Sequence, residues 1–127
     1  MNPKQTQAVL SLPGPKRYDH FIKVVADRGK AWGLYEDGWA LASNSELLHV
    51  FPLWPASEYA EIAAIGEWSS YKPREICIED LLEQLIPSLR ETGTIVGVFP
   101  TPEDKGVLPS LDVFERDLRN ELSEFES

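Results

Sequence analysis

The sequence predicts an α+β fold, a mixed and mostly antiparallel sheet of about five short strands packed with four or five helices. Three observations point there. Apolar residues recur at helical spacing in several stretches, and short β-branched or alternating runs lie between them. The second and third of those runs are joined by a short link, whereas the others are separated by helices. At 127 residues the chain is expected to form one globular domain, residues 1–127, of which residues 1–12 are a helical extension. A chain of this length buries roughly two-thirds of its unfolded surface without needing disulfides or metal.

Asn2 is a suitable N-cap and Pro3 a suitable first helical residue, so a short helix is expected to run to about Ser11, where Leu12-Pro13-Gly14 breaks it. From Pro15 the residues Tyr18, Phe21, Ile22 and Val25 mark the buried stripe of a second helix, which Gly29 ends. The run KAWGLYEDGWALAS, residues 30–43, reads as a β-hairpin. Asp37-Gly38 supplies the positive φ angles of a two-residue type I′ turn, which sets Leu34 opposite Leu41. In that register Trp32 and Trp39 share one bulky face, while Ala31, Gly33, Ala40, Ala42 and Tyr35 form a nearly flat one.

A third strand is expected over residues 47–53, followed by a helix from Pro55 or Ser57 to Ile65 that Gly66 stops. REICIE, residues 74–79, is a short strand. Asp80 and Glu83 have the spacing of a capping box, ahead of a helix buried through Leu81, Leu82, Leu85, Ile86 and Leu89 and ended by Gly93. Pro87 should kink that helix. TIVGVF, residues 94–99, is the last strand, and TPED, residues 101–104, is a capped single turn closed by Gly106. A final helix over residues 109–125 buries Leu111, Phe114, Leu118, Leu122 and Phe125. In VFPLWP and VFPTP a proline follows Phe51 and Phe99, so each phenylalanine should be the last well-paired residue of its strand. If both strands end on one edge, Trp54 comes near Thr101.

The net charge is −9, from 21 acidic and 12 basic residues spread along the chain. Such a surface repels phosphate backbones and anionic lipids, so neither nucleic acid nor membrane is an expected partner, and the run PKR at residues 15–17 is too short to change that. The charge keeps the protein soluble, and any protein partner it selects would be basic. No run approaches the roughly 20 apolar residues of a membrane span. With a single cysteine and no apolar leader, a cytoplasmic protein is the natural reading.

His20, His49 and Cys77 stand at unrelated spacings, so no metal site and no cofactor is expected. No nucleophile elbow or phosphate-cradling glycine loop occurs, Ser69 and Ser70 have no base nearby in sequence, and no catalytic residue is assigned. Cys77 lies between Ile76 and Ile78 and points away from both, and a packing role is the expected one. His20 sits beside a helical apolar stripe with no partner motif. One constellation remains. Phe51, Trp54, Tyr59, Trp68 and Tyr71 are interleaved with Glu58, Glu61, Glu67 and Lys72. Aromatic residues of this size are the usual material of a small core. The functional alternative is a binding cleft of Trp54, Glu58, Tyr59, Trp68, Tyr71 and Thr101, in which Glu58, Tyr71 or Arg74 would supply convergent polar groups.

The ordered set RYDHFIKVVADRGKAWGL, DGW, FPLWPASEYA, GEW, LLEQLIPSLRETG and VGVFPTPEDKGV resembles the bacterial family called domain of unknown function 2750, over about residues 12–122. The resemblance implies a small, stand-alone, cytoplasmic bacterial protein without an assigned activity. Its characteristic positions would be Arg17, Tyr18, Trp32, Gly33, Trp54, Pro55, Tyr59, Ala60, Phe99 and Pro100, all of which have structural readings. The expected function is a non-enzymatic protein-interaction or regulatory module, one form of which is an immunity-like protein that neutralises a basic partner. The alternatives are a small-molecule binder or unrecognised enzyme built on the cleft around Trp54 and Trp68, and a domain that assembles only with itself. The residues specify no oligomeric state.

Overall fold

The computed structural model describes residues 3–43, 49–101 and 106–126. In chain order these form α1 (Pro3–Leu10), α2 (Gly14–Arg28), β1 (Lys30–Tyr35), β2 (Ala42–Ser43), β3 (His49–Leu53) and α3 (Ser57–Ala63). A 3₁₀ turn (Gly66–Trp68) then leads to β4 (Lys72–Cys77), α4 (Ile78–Asp80), a π turn (Leu81–Leu85), α5 (Ile86–Thr92), β5 (Ile95–Val98) and α6 (Leu111–Glu126). The class is α+β. The expected Asn2 cap, the start of the third strand at residues 47–48 and most of the turn at residues 101–104 lie outside the described residues.

The expectation of one mostly antiparallel sheet is corrected. β1 and β4 pair antiparallel as one small sheet, and a second has the order β2-β3-β5, in which β2 is antiparallel to β3 and β5 is parallel to it. Among the described residues the two are bridged where Trp32 and Trp54 exchange two backbone hydrogen bonds of 2.8 Å. Two features break the ladder at Pro52: the Leu34 carbonyl of β1 is already taken by the Ala40 N–H, and proline brings no donor of its own. Leu53 faces β5, since its carbonyl accepts from the Phe99 N–H, so by alternation Pro52 and Trp54 face the β1 side. The ladder resumes only at Trp54.

Phe51 is therefore not the last paired residue of its strand, because β3 continues through Pro52 to Leu53. Phe99 departs further from expectation. It lies outside β5 with φ +56°, the left-handed region that bulky side chains rarely adopt. Its ring is fully buried against Tyr59, 4.8 Å between centroids, and its carbonyl accepts from the buried Arg17 Nε at 3.3 Å. A second Arg17 bond, from Nη1 to the Leu12 carbonyl at 2.6 Å, ties the α1–α2 link to the same place. Contacts from both sides thus hold a strained backbone.

The hairpin is corrected by one residue. Asp37 and Gly38 do take positive φ, +55° and +150°, but Glu36 joins them in a three-residue loop that sets Tyr35 opposite Trp39. The Ala40 N–H donates to the Leu34 carbonyl at 2.8 Å. A one-residue slip moves every later side chain to the other face. Leu41 is accordingly 47% exposed while Leu34 is buried, and Trp39 leaves the face of Trp32 for that of Gly33 and Tyr35.

The helix after β4 starts at Ile78 with Cys77 as its N-cap, so Asp80 lies inside it with helical φ and ψ and no capping box forms. Ahead of Pro87 the helix takes a π turn over Leu81–Leu85. The proline ring and missing N–H conflict with an ordinary helical bond to residue 83, and the preceding turn widens until the Ile86 N–H bonds the Leu81 carbonyl. Of the expected stripe, Leu81, Leu82, Ile86 and Leu89 are buried, while Leu85 is only partly buried. α6 starts at Leu111, where the Ser110 hydroxyl caps the Val113 N–H at 3.2 Å. Phe114 and Leu118 are its fully buried residues, and Phe114 packs on Phe21 of α2 at 5.9 Å.

Candidate functional site

β3 and β5 run parallel and end together, so Trp54 does reach the segment after β5. Its Nε1 donates to the Pro100 carbonyl at 2.8 Å, and its ring meets Trp68 edge-on at 6.3 Å. Trp54 itself has no exposed surface. Beside it, Ala63, Ile65, Glu67, Trp68, Pro100 and Thr101 line a groove of about 270 Å³. Of the six cleft residues, Trp68 and Thr101 line this groove and Trp54 lies beneath it. Tyr59 is buried and borders a different cavity. Glu58 is exposed beside Ser57, and Tyr71 packs partly buried against the core.

Another surface constellation lies elsewhere. In the β1–β4 pair Gly33 stands opposite Arg74 and Tyr35 opposite Lys72, and directly opposed residues share a face. The hairpin returns Trp39 onto that face. Its indole covers Gly33, where a Cβ would come within 2.9 Å of Cζ3, packs edge-on against Tyr35 at 5.1 Å and lies tilted against Phe51 at 5.5 Å. Glycine is required here for space, because any side chain would displace the indole.

Arg74 completes the arrangement. Its guanidinium lies 4.4 Å over the Tyr35 ring and 5.8 Å from that of Trp39, a geometry in which the ring quadrupole attracts the cation. The exposed Arg74 makes no ion pair or side-chain hydrogen bond among the described residues, so its N–H donors face outward. The opposite wall comes from the helical segment, through Asp80, Gln84, Leu85 and Ser88, and the groove between has a volume of about 680 Å³. Asp80 also lacks an ion pair among the described residues. Glu36 and Asp37, on the turn that carries Trp39, are exposed, and Glu36 accepts from the Ser70 hydroxyl.

Sequence reasoning missed this site because a two-residue turn sent Trp39 to the wrong face and grouped Arg74 with Trp54. The available signal was Gly33, a glycine inside a strand, which often marks close approach by another group. Cys77, expected to pack, is exposed. His20 is partly buried with its ring 6.2 Å from Phe99, and burial together with the nearby Arg28 holds its pKa below the usual histidine value. Among the described residues no cluster of three or more His, Cys, Asp or Glu side chains could hold a metal ion, and no helix is long and apolar enough to cross a membrane.

The model of the protein family of unknown function DUF2750 matches residues 18–118, and the chain belongs to that family. No curated protein and no solved structure matches the chain.

Proposed function

We propose that this DUF2750 member is a non-enzymatic interaction domain that holds a basic segment of a partner protein in the groove between the Tyr35–Trp39–Arg74 face and the helical wall of Asp80 and Leu85. The observation that carries this reading is the Arg74 guanidinium stacked 4.4 Å over Tyr35 with its donors unengaged. Tyrosine, tryptophan and arginine are the residues that most often dominate binding energy at protein interfaces. An arginine already held over a ring loses less side-chain freedom when it docks. In the complex, Arg74 donates to main-chain carbonyls of the partner, and Asp80, Glu36 and Asp37 meet its Lys or Arg side chains. The net charge of −9 speeds that encounter.

The cleft around Trp54 and Trp68 is the weaker candidate. The Trp54 indole N–H is already satisfied by Pro100, and Glu67 and Thr101 are the polar residues at the neighbouring groove. The test is affinity capture at low salt with three baits: the wild type, an Arg74→Ala/Asp80→Lys variant, and a Glu121→Lys control on α6. The proposal expects a basic protein retained by wild type and control and lost from the groove variant. Equal retention by all three baits, or no retained protein at all, counts against it.

A further inference from the structure

A second cavity, sharing no lining residue with the groove at Trp39, lies where α1 and α2 meet the start of α3. Its volume is about 330 Å³ and its walls are Gln5, Ala8, Val9, His20, Val24, Arg28, Ala56 and Tyr59. That is room for on the order of ten water-sized groups. The small apolar side chains suit a hydrocarbon or aromatic body. In a chain with 21 acidic residues and 12 basic ones, this wall contains no carboxylate and one cation.

Besides Gln5, which has an interaction of its own, three polar groups line this cavity. Tyr59 is 2% exposed, and its hydroxyl has no hydrogen-bond partner among the described residues. Every fully buried polar side-chain atom among those residues does have a partner, so the Tyr59 oxygen keeps its access to the cavity that the residue lines. Arg28 makes no ion pair among the described residues, yet it lies near enough to hold down the His20 pKa and to oppose the upward shift that burial gives Tyr59. At neutral pH the site therefore offers a guanidinium, a neutral imidazole and a phenolic O–H. Glu58 stands close enough to add to the Tyr59 shift, which disfavours a second negative charge on any ligand.

We propose that this cavity binds a small organic monocarboxylate with an apolar body, its carboxylate met by Arg28, His20 and Tyr59. An anion with no apolar body would leave the valine and alanine walls unused. A neutral ligand would leave the cation unpaired.

The test uses the full chain, ¹⁵N-labelled, titrated with hexanoate and benzoate and separately with hexanamide and benzamide. Amide chemical shifts should move at Gln5, Ala8, His20, Val24, Arg28 and Ala56, with each carboxylate bound about tenfold more tightly than its amide, the worth of one charge-assisted bond. Arg28→Gln should remove that preference while leaving the amides unchanged. Tyr59→Phe, which keeps the buried ring, should weaken the carboxylates by about fivefold. Ala8→Phe, entering from the exposed side of α1, should block all four probes in a chain that still gives a folded spectrum. Equal affinity for acid and amide, unchanged carboxylate binding in Arg28→Gln, or no shift at these amides with any probe overturns the proposal.

Discussion

The indole of Trp39 occupies the space that a side chain on Gly33 would need: a Cβ there would lie 2.9 Å from Cζ3 and 3.0 Å from Cε3. Tyr35 and Phe51 flank the same indole, so it can yield only by tilting toward the groove and losing those contacts. Gly33→Ala should therefore cost about 1–3 kcal/mol, the usual effect of overpacking. In thermal unfolding this lowers the midpoint by about 5 °C or more. A Gly33→Ala/Trp39→Leu double variant should lose less than the sum of the single changes, because the smaller side chain removes the clash.

That contact also explains how far the fold could be read from residues alone. Phe21, Ile22 and Val25 of α2 and Phe114 and Leu118 of α6 were legible as core residues because helical periodicity is local. The left-handed Gly29 and Gly93 ends were legible for the same reason. Strand partners were not. β1 pairs with β4 across some forty residues of chain, and β3 takes a parallel neighbour, arrangements that no local spacing encodes. The hairpin error turned on whether Glu36 belonged to the strand or to the loop. That single residue moved Trp39 across the sheet and, with it, the aromatic face on which Arg74 stacks. Near Trp54 the sequence brought the right segments together, but it did not reveal that Pro100 already satisfies the indole N–H.

Trp54 links both sheets through its backbone and the segment after β5 through its side chain. Trp54→Phe keeps an aromatic ring but leaves the Pro100 carbonyl without that donor and the site short of volume. The expected loss is about 1–3 kcal/mol. A urea titration should show a lower midpoint with an unchanged slope.

Tyr18 should make stability fall in strong alkali. Burial first, and then its 2.7 Å bond to Asp117, raise its pKa well above the ordinary 10.0. The folded state keeps this proton where the unfolded state has lost it. The contribution is present in full below pH 10 and declines as the pH rises from there through the folded value. Melting curves between pH 9 and about 12 should fall more steeply for wild type than for Tyr18→Phe.

Cys77 is the single cysteine and is exposed. A disulfide reagent such as Ellman's should modify one thiol per chain in the native protein, at about the rate seen in denaturant. Protection in the native state by about tenfold or more would contradict its placement at the exposed end of β4.

The central claim is that a basic partner occupies the groove between Trp39 and Asp80. The most direct measurement places a photo-activated cross-linker at Gln84, on the groove wall, and separately at Asn120 on α6, in cells that produce the protein. The groove assignment predicts one discrete adduct with a basic protein from position 84, lost when Arg74→Ala is added, and none from position 120. Cross-linking of equal yield at both positions, or an adduct at position 84 that survives Arg74→Ala, would contradict it.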